Sequence, residues 1–116
     1  MKAKVLIIHP QYAPVHKIAR DIIEKVAYVE DITWKTPSCV NEETFRLIQD
    51  ASAILVRLCI IDGKLIDVAK KLKVISVHGV GTDNVDVKVA TERGVIVTNA
   101  PISNAISVAE FTMGLM

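Results

Sequence analysis

Apolar and polar residues follow one another along this chain in blocks that predict five β-strands separated by helices. Five apolar runs of strand length occur at residues 4–8, 27–34, 53–56, 74–77 and 95–98. After Lys4 the first run is continuously apolar, as is typical of a strand buried on both faces of a parallel sheet. The second run is less regular, with charged residues among the apolar ones. The pattern therefore predicts a repeated strand–helix unit.

In the segments between these runs, apolar residues recur at the intervals that are typical of helices. Residues 15–26 carry apolar side chains three and four positions apart, which predicts a helix with Ile18, Ile22 and Val26 among its inward residues and Arg20 on its outer face. Shorter helices are predicted after Asn41, over residues 64–72 and over residues 87–93. The candidate N-caps are Asn41, Asp62 and Asp86, and Gly94 is a left-handed C-cap. A last helix is expected to begin near Ser103 or Asn104 and to run to Met116.

Strands that alternate with helices favour an α/β fold with a three-layer, parallel sheet. Because crossover connections are right-handed, few strand orders remain, and we expect the flavodoxin-like order 2-1-3-4-5. Ligands of such sheets bind beyond the carboxyl ends of the strands. That rule predicts one cleft formed by residues 9–13, 57–61, 78–83 and 99–104.

The composition is that of a single domain and excludes several classes of function. The chain has 116 residues, a mean hydropathy of +0.38 and a net charge of +1. No apolar run approaches the length of a membrane span, and the charge gives no reason to expect a nucleic acid or membrane partner. Cys39 and Cys59 do not form a metal-ligand pattern, so no metal is expected. Two reduced thiols in a cytoplasmic protein are the expected state.

The glycine turn after the fourth apolar run is the strongest candidate for a ligand site. Gly79-Val80-Gly81 places bare backbone amides at the carboxyl end of a strand, and clustered amides suit an anionic group. The alternative is a tight turn in which the glycines serve backbone geometry alone.

The same segment is close to the dinucleotide fingerprint G-x-G-x-x-G, but the match is defective. Asn84 stands where the third glycine is required, and the next strand ends in Val97-Thr98-Asn99 without an acid for the ribose. The motif also comes late in the chain rather than in the first strand–helix–strand unit. No cofactor-binding residue is therefore predicted in this chain.

Three segments in order, GVGTDNVD, ATERGVIVTNAP and SNAISVAE, closely resemble the D-isomer-specific 2-hydroxyacid dehydrogenases. That family includes D-3-phosphoglycerate dehydrogenase, glyoxylate/hydroxypyruvate reductase and formate dehydrogenase. The resemblance begins near Ala53. It implies that residues 1–98 are the N-terminal portion of a substrate-binding domain. Residues 99–116 would be a hinge and the start of an interdomain helix that leads to a domain binding NAD or NADP.

The resemblance also implies roles for four residues. The amides of Val80 and Gly81 would hold the carboxylate of a D-2-hydroxy acid or 2-oxo acid, Asn104 would contact the substrate, and Arg57 would face a phosphate such as that of 3-phosphoglycerate. Two alternatives stay open: Asn104 as a helix N-cap, and Arg57 as an ion-pair partner of Asp83.

No catalytic residue is predicted within the chain. The family's catalytic arginine, glutamate and histidine belong beyond Met116, so His78 is expected to be a structural or rim residue. The chain alone is therefore expected to be inactive.

The last helix carries few polar residues, which indicates a homodimer through that helix. A stand-alone module that binds small carboxylates, or regulates without catalysis, is the alternative function. A receiver-type signalling domain is disfavoured because Arg57 stands where its acidic phosphoacceptor would be.

Overall fold

The computed structural model describes residues 3–10, 17–34 and 41–116. The described chain alternates strands and helices from end to end. In order these are β1 (Ala3–Pro10), α1 (Lys17–Glu24), β2 (Ala27–Trp34), α2 (Glu42–Ile48), β3 (Ala53–Val56), α3 (Gly63–Val68), β4 (Val74–Val77), α4 (Val87–Glu92), β5 (Ile96–Thr98) and α5 (Ala105–Leu115).

The five strands form one parallel sheet in the order β2-β1-β3-β4-β5, which confirms the predicted fold class and topology. The bounds of β2, β3 and β4 are those predicted, whereas β1 is longer and β5 starts one residue later, at Ile96. None of the helices in the described part of the chain has the length and hydrophobicity that a bilayer crossing requires.

One face of the sheet holds the main hydrophobic core. Leu6, Ile54 and Ile75 point to this face and pack with residues of α2, α3 and α4. Side-chain caps start all three of those helices, as predicted. Asn41 accepts from the Thr44 amide at 2.9 Å, Asp62 from that of Leu65 at 3.0 Å and Asp86 from that of Val89 at 3.1 Å. These caps fix the starts of the three helices at the carboxyl edge of the sheet.

The opposite face is covered less completely, because α1 packs against β2 at one edge of the sheet. Ile7 is buried there, whereas its neighbours further along the sheet, Leu55 on β3 and Ser76 on β4, are half-buried and Thr98 on β5 is exposed. A parallel sheet normally buries both faces, so the strands from β3 to β5 retain uncovered surface on this side.

The predicted orientation of α1 was wrong. Ile18, Ile22 and Val26 are exposed rather than inward. The physical reason is an ion pair: Arg20 approaches Asp31 of β2 to 2.6 Å, so the Arg20 side of the helix is held toward the sheet. The predicted first residues of this helix lie outside the described residues.

Helix α5 projects from the domain, and every residue from 101 to 116 is exposed. Its apolar residues surround the helix rather than forming one stripe, a pattern typical of a helix that is buried on all sides. Phe111 is 70% exposed and Met113 is 76% exposed. This helix therefore presents apolar surface without cover from its own sheet.

The expectation of two reduced thiols was wrong for Cys59. This residue is fully buried and is disulfide-bonded. Cysteine pairing depends on the fold rather than on spacing along the chain, so no sequence pattern indicated this bond. Cys39 lies outside the described residues.

Candidate functional site

A cavity of about 280 Å³ opens at the carboxyl ends of β3 and β4. Leu58 lines it from the loop after β3, and residues 77–81, 83 and 84 line it from the end of β4 and the glycine turn. This is the predicted position of the cleft. Leu58 itself has a left-handed backbone with φ of 59°, which is rare for a residue with a branched side chain.

Hydrogen bonds fix the glycine turn from both sides. Gly79 has φ of 152°, in the region that favours glycine, and an added Cβ there would meet no other atom within 4 Å. The backbone conformation therefore accounts for this glycine, and crowding does not. The Gly79 carbonyl accepts from the Ala100 amide at 2.8 Å, and the Val80 carbonyl accepts from Asn99 Nδ2 at 2.6 Å.

The Gly79 and Val80 carbonyls are thus engaged, and the Gly79 amide donates to the Val77 carbonyl at 3.0 Å. Among the described residues, the N–H groups of Val80 and Gly81 donate to no protein acceptor. Both residues line the cavity. Adjacent free N–H groups at the end of a parallel strand are suited to bind a carboxylate.

Arg57 follows β3 and precedes Leu58; it does not line the cavity itself and is half-buried. The alternative of an ion pair with Asp83 is not formed, and no other acid within the described ranges pairs with Arg57. Its guanidinium is therefore available for an anionic ligand. Asp83 lines the cavity itself.

His78 lines the cavity with an exposed side chain, consistent with a rim residue. Partial burial, followed by the positive charge of Arg57, lowers the pKa of His78 below its usual value. The two side chains are therefore close enough to interact electrostatically.

Asn104 occupies the N-cap position of α5, but its side chain makes no capping hydrogen bond. The N-cap alternative is thus wrong for the side chain. Of the four predicted substrate-binding residues, Val80 and Gly81 line the cavity, whereas Arg57 and Asn104 do not. Arg57 lies beside the lining residue Leu58, and Asn104 lies at the start of the projecting helix.

Asn84 and Asn99 are the structural residues that the sequence analysis missed. Asn84 Nδ2 donates to the Cys59 carbonyl at 2.8 Å, and the Asn84 carbonyl accepts from the Ile61 amide at 2.7 Å. Asn84 thus joins the glycine turn to the loop after β3. Its side chain occupies the place where a dinucleotide fingerprint needs bare backbone, so the described residues do not fit NAD.

The parallel sheet in the order 2-1-3-4-5 defines a flavodoxin-like α/β domain. The glycine turn that opens into a cavity at its carboxyl edge is a candidate site for a small anion. Residues 5–113 match the family model described as D-isomer specific 2-hydroxyacid dehydrogenase, catalytic domain. The chain belongs to this family, which confirms the resemblance found in the sequence.

Individual relatives give the same result. The chain is 48% identical over 104 residues to D-3-phosphoglycerate dehydrogenase of Methanocaldococcus jannaschii, an alignment that covers 89% of this chain and 19% of that protein. The crystal structure of the PH0520 protein from Pyrococcus horikoshii matches with a TM-score of 0.80 and 33% identity, covering 98% of this chain and 32% of that one.

A third match is the NAD+-bound 3-phosphoglycerate dehydrogenase of Entamoeba histolytica. Its TM-score is 0.78 at 30% identity, and it covers 98% of this chain and 38% of that one. The chain therefore spans about a fifth of the length of the Methanocaldococcus relative and about a third of each of these two structures.

Proposed function

We propose that this chain is the N-terminal part of an NAD-dependent oxidoreductase that interconverts a D-2-hydroxy acid and its 2-oxo acid, with 3-phosphoglycerate as a candidate substrate. The family match over residues 5–113 carries the proposal. The unbonded amides of Val80 and Gly81 at the cavity support it, because such an acid always presents a carboxylate.

In this proposal the chain binds and orients the substrate. The N–H groups of Val80 and Gly81 hold the carboxylate, each hydrogen bond to a charged group contributing about 1.5–3 kcal/mol. Arg57 faces a second anionic group, for which its planar fork of donors is suited. Asn104 is the fourth proposed substrate-binding residue, and its uncapped amide supports this assignment.

The proposed division of the chain follows the fold. Residues 1–98 form the N-terminal portion of the substrate-binding domain, and residues 99–116 form the hinge and the start of an interdomain helix. NAD or NADP would bind to a further domain, which would also supply the catalytic groups and the hydride chemistry. The chain alone is then inactive.

A homodimer and a cytoplasmic location complete the proposal. The apolar, exposed surface of α5 supports dimer formation, because large exposed apolar patches usually mark an interaction surface. Light scattering of the purified chain tests this, and a monomer from micromolar to millimolar concentration would contradict it. Stable cytosolic disulfides are rare outside hyperthermophiles, so the redox state of Cys59 in cells tests the location.

The carboxylate site is tested by amide NMR of the folded chain. D-lactate should shift the Val80 and Gly81 signals most, and lactamide, which has the same shape without the charge, should leave them in place. Gly94 is the internal control, since it also has positive φ, at 73°, but does not line the cavity. Largest shifts outside residues 79–81 would refute the assignment. Turnover by this chain with NAD and any 2-hydroxy acid would refute the proposed division.

A further inference from the structure

Three basic side chains lie in one row across the carboxyl edge of the sheet. Ile8 of β1 pairs with Val56 of β3, and Val56 pairs with Val77 of β4. The next residues are His9, Arg57 and His78, and the ladder continues through them, because Arg57 N donates to the Ile8 carbonyl at 2.9 Å and His78 N to the Val56 carbonyl at 2.8 Å.

Residues in register on adjacent strands point to the same face, and neighbouring strands are about 4.8 Å apart. The row therefore places Arg57 between two histidines on the more open face of the sheet.

His9 has its partners within the protein. It is buried, its Nε2 lies 3.4 Å from Asp31 Oδ1, and its Nδ1 lies 3.0 Å from the Pro10 carbonyl. Both ring nitrogens are engaged, and the acid is shared with Arg20. His9 is thus a structural member of the row.

Arg57 and His78 have no such partner. In residues 3–10, 17–34 and 41–116 no acid forms an ion pair with either side chain. Among the described residues, the charge that acts on His78 is that of Arg57 from β3, and Asp83 of the glycine loop lines the same cavity. Two neighbouring cationic groups at a cavity repel each other, and an anion bound between them would relieve that repulsion.

We propose that His78, in its protonated form, joins Arg57 in binding the second anionic group of a substrate whose carboxylate lies on Val80 and Gly81. This inference rests on the proposed function and adds to it a pH-dependent selection for acids with two anionic groups. His78 is a binding residue in this arrangement, not a catalytic one.

The direction of the pH effect follows from the charges. Arg57 favours neutral His78 in the free protein, whereas an anion beside His78 favours the protonated form, so binding is coupled to proton uptake. Affinity for a doubly charged acid is therefore highest at low pH and falls as the pH rises through the values at which free and bound His78 titrate. Affinity for a singly charged acid should not change.

The test compares D-malate with D-lactate in NMR titrations of the full chain from pH 5.5 to 8. D-lactate keeps a constant charge over this range, whereas the first charge of malate raises the pKa of its second carboxyl, so each D-malate affinity is corrected for the fraction of dianion at that pH. We expect D-malate affinity to fall about tenfold across this range, as for the loss of one hydrogen bond to a charged group. D-lactate affinity should change less than about twofold.

Two variants separate the residues. His78→Gln retains hydrogen-bonding atoms but not the charge, and should give D-malate the same weaker affinity at every pH while leaving D-lactate binding unchanged. Arg57→Gln should weaken D-malate at every pH and raise the pKa of His78, measured from its imidazole signals. Lys73→Gln, which removes an exposed positive charge at the amino end of β4, is the matched control and should change neither ligand.

The outcomes distinguish the two proposals. If D-lactate shifts Val80 and Gly81 but D-malate has the same affinity and pH profile with and without His78, the inference is overturned and the proposed function stands. If neither acid shifts those two amides, both proposals fail.

Discussion

Asn84→Gly is the substitution that best separates the two interpretations of the glycine loop. It completes the spacing G-x-G-x-x-G from Gly79, and it removes the side-chain bridge from Asn84 Nδ2 to the Cys59 carbonyl. If the loop is a substrate turn held by Asn84, the substitution should destabilise the protein and should add no affinity for a dinucleotide.

The expected loss of stability follows from the atoms that are left without a partner. Cys59 is fully buried and Asn84 is half-buried, so the Cys59 carbonyl would lose a partly buried hydrogen bond. An unsatisfied buried acceptor costs about 1–3 kcal/mol, and glycine adds about 0.5–1 kcal/mol of backbone entropy. The sum is about 1.5–4 kcal/mol. For a domain of this size Tm falls by at least about 4 °C per kcal/mol.

Thermal unfolding followed by circular dichroism measures this loss. Asn84→Ala removes the bridge without the entropy of glycine and should account for most of the effect. Asn99→Ala is the matched control, since Asn99 donates a similar bond to the Val80 carbonyl in an exposed position, where water can replace it. Its effect should stay below about 1 kcal/mol.

NAD titration completes the experiment. Residues 97–99 supply no acid for the ribose, so Asn84→Gly should bind NAD no better than the unaltered chain. Unchanged stability in Asn84→Gly would show that the bridge is not needed, and a gain of NAD affinity would restore the dinucleotide interpretation.

Three further predictions test the frame of the site. Asp86→Ala removes a helix cap and should lower the free energy of unfolding, measured by urea titration, by about 1 kcal/mol. Asn104→Ala removes no cap bond and should change it by less than about 0.5 kcal/mol. Equal effects of the two substitutions would contradict the capping assignment. Leu58→Gly should be at least as stable as Leu58→Ala, because the left-handed backbone at residue 58 costs an L-residue roughly 1–2 kcal/mol that glycine avoids. A glycine variant less stable than the alanine variant would show that the backbone at residue 58 is not strained. Burial lowers the pKa of Lys4, but hydrogen bonds to Asp50 and Glu30 raise it overall, while the bond from Lys4 lowers the pKa of Asp50. The stability that Asp50 contributes is therefore present above its unfolded pKa of 3.8 and is lost as the pH falls through its lower folded pKa. The stability that Lys4 contributes is present below its unfolded pKa of 10.5 and is lost as the pH rises through its higher folded pKa. Lys4→Met should flatten both limbs of the pH–stability curve.

The elements that the sequence predicted well depend on local chemistry. Asn41, Asp62 and Asp86 cap their helices through amides three residues further on, so a short window of sequence contains the whole interaction. Gly94 ends α4 with φ of 73° for an equally local reason. The strand order followed from the alternation of elements and the right-handed crossover rule.

The features that the sequence did not predict depend on distant partners. Helix α1 is oriented by the ion pair between Arg20 and Asp31, which a helical pattern treats as two unrelated surface charges. Asn84 was interpreted as a defect in a motif, because its acceptor belongs to another loop. Asp83 was a reasonable partner for Arg57 by position, yet the side chains do not pair. Proximity in the sequence cannot reveal such contacts.

The direction of the chain after β5 explains why two apolar surfaces are uncovered, namely the open face of the sheet and the surface of α5. A helix that followed β5 and returned over the sheet would cover the face on which Leu55 and Ile96 lie, and would bury its own apolar side chains in doing so. Helix α5 instead projects, so Ile96 stays 64% exposed and Phe111 has no cover from its own sheet. The turn before α5 is held to the glycine loop by the bond from the Ala100 amide to the Gly79 carbonyl. The segment that leads into α5 therefore shares a backbone hydrogen bond with the loop that carries the candidate carboxylate site.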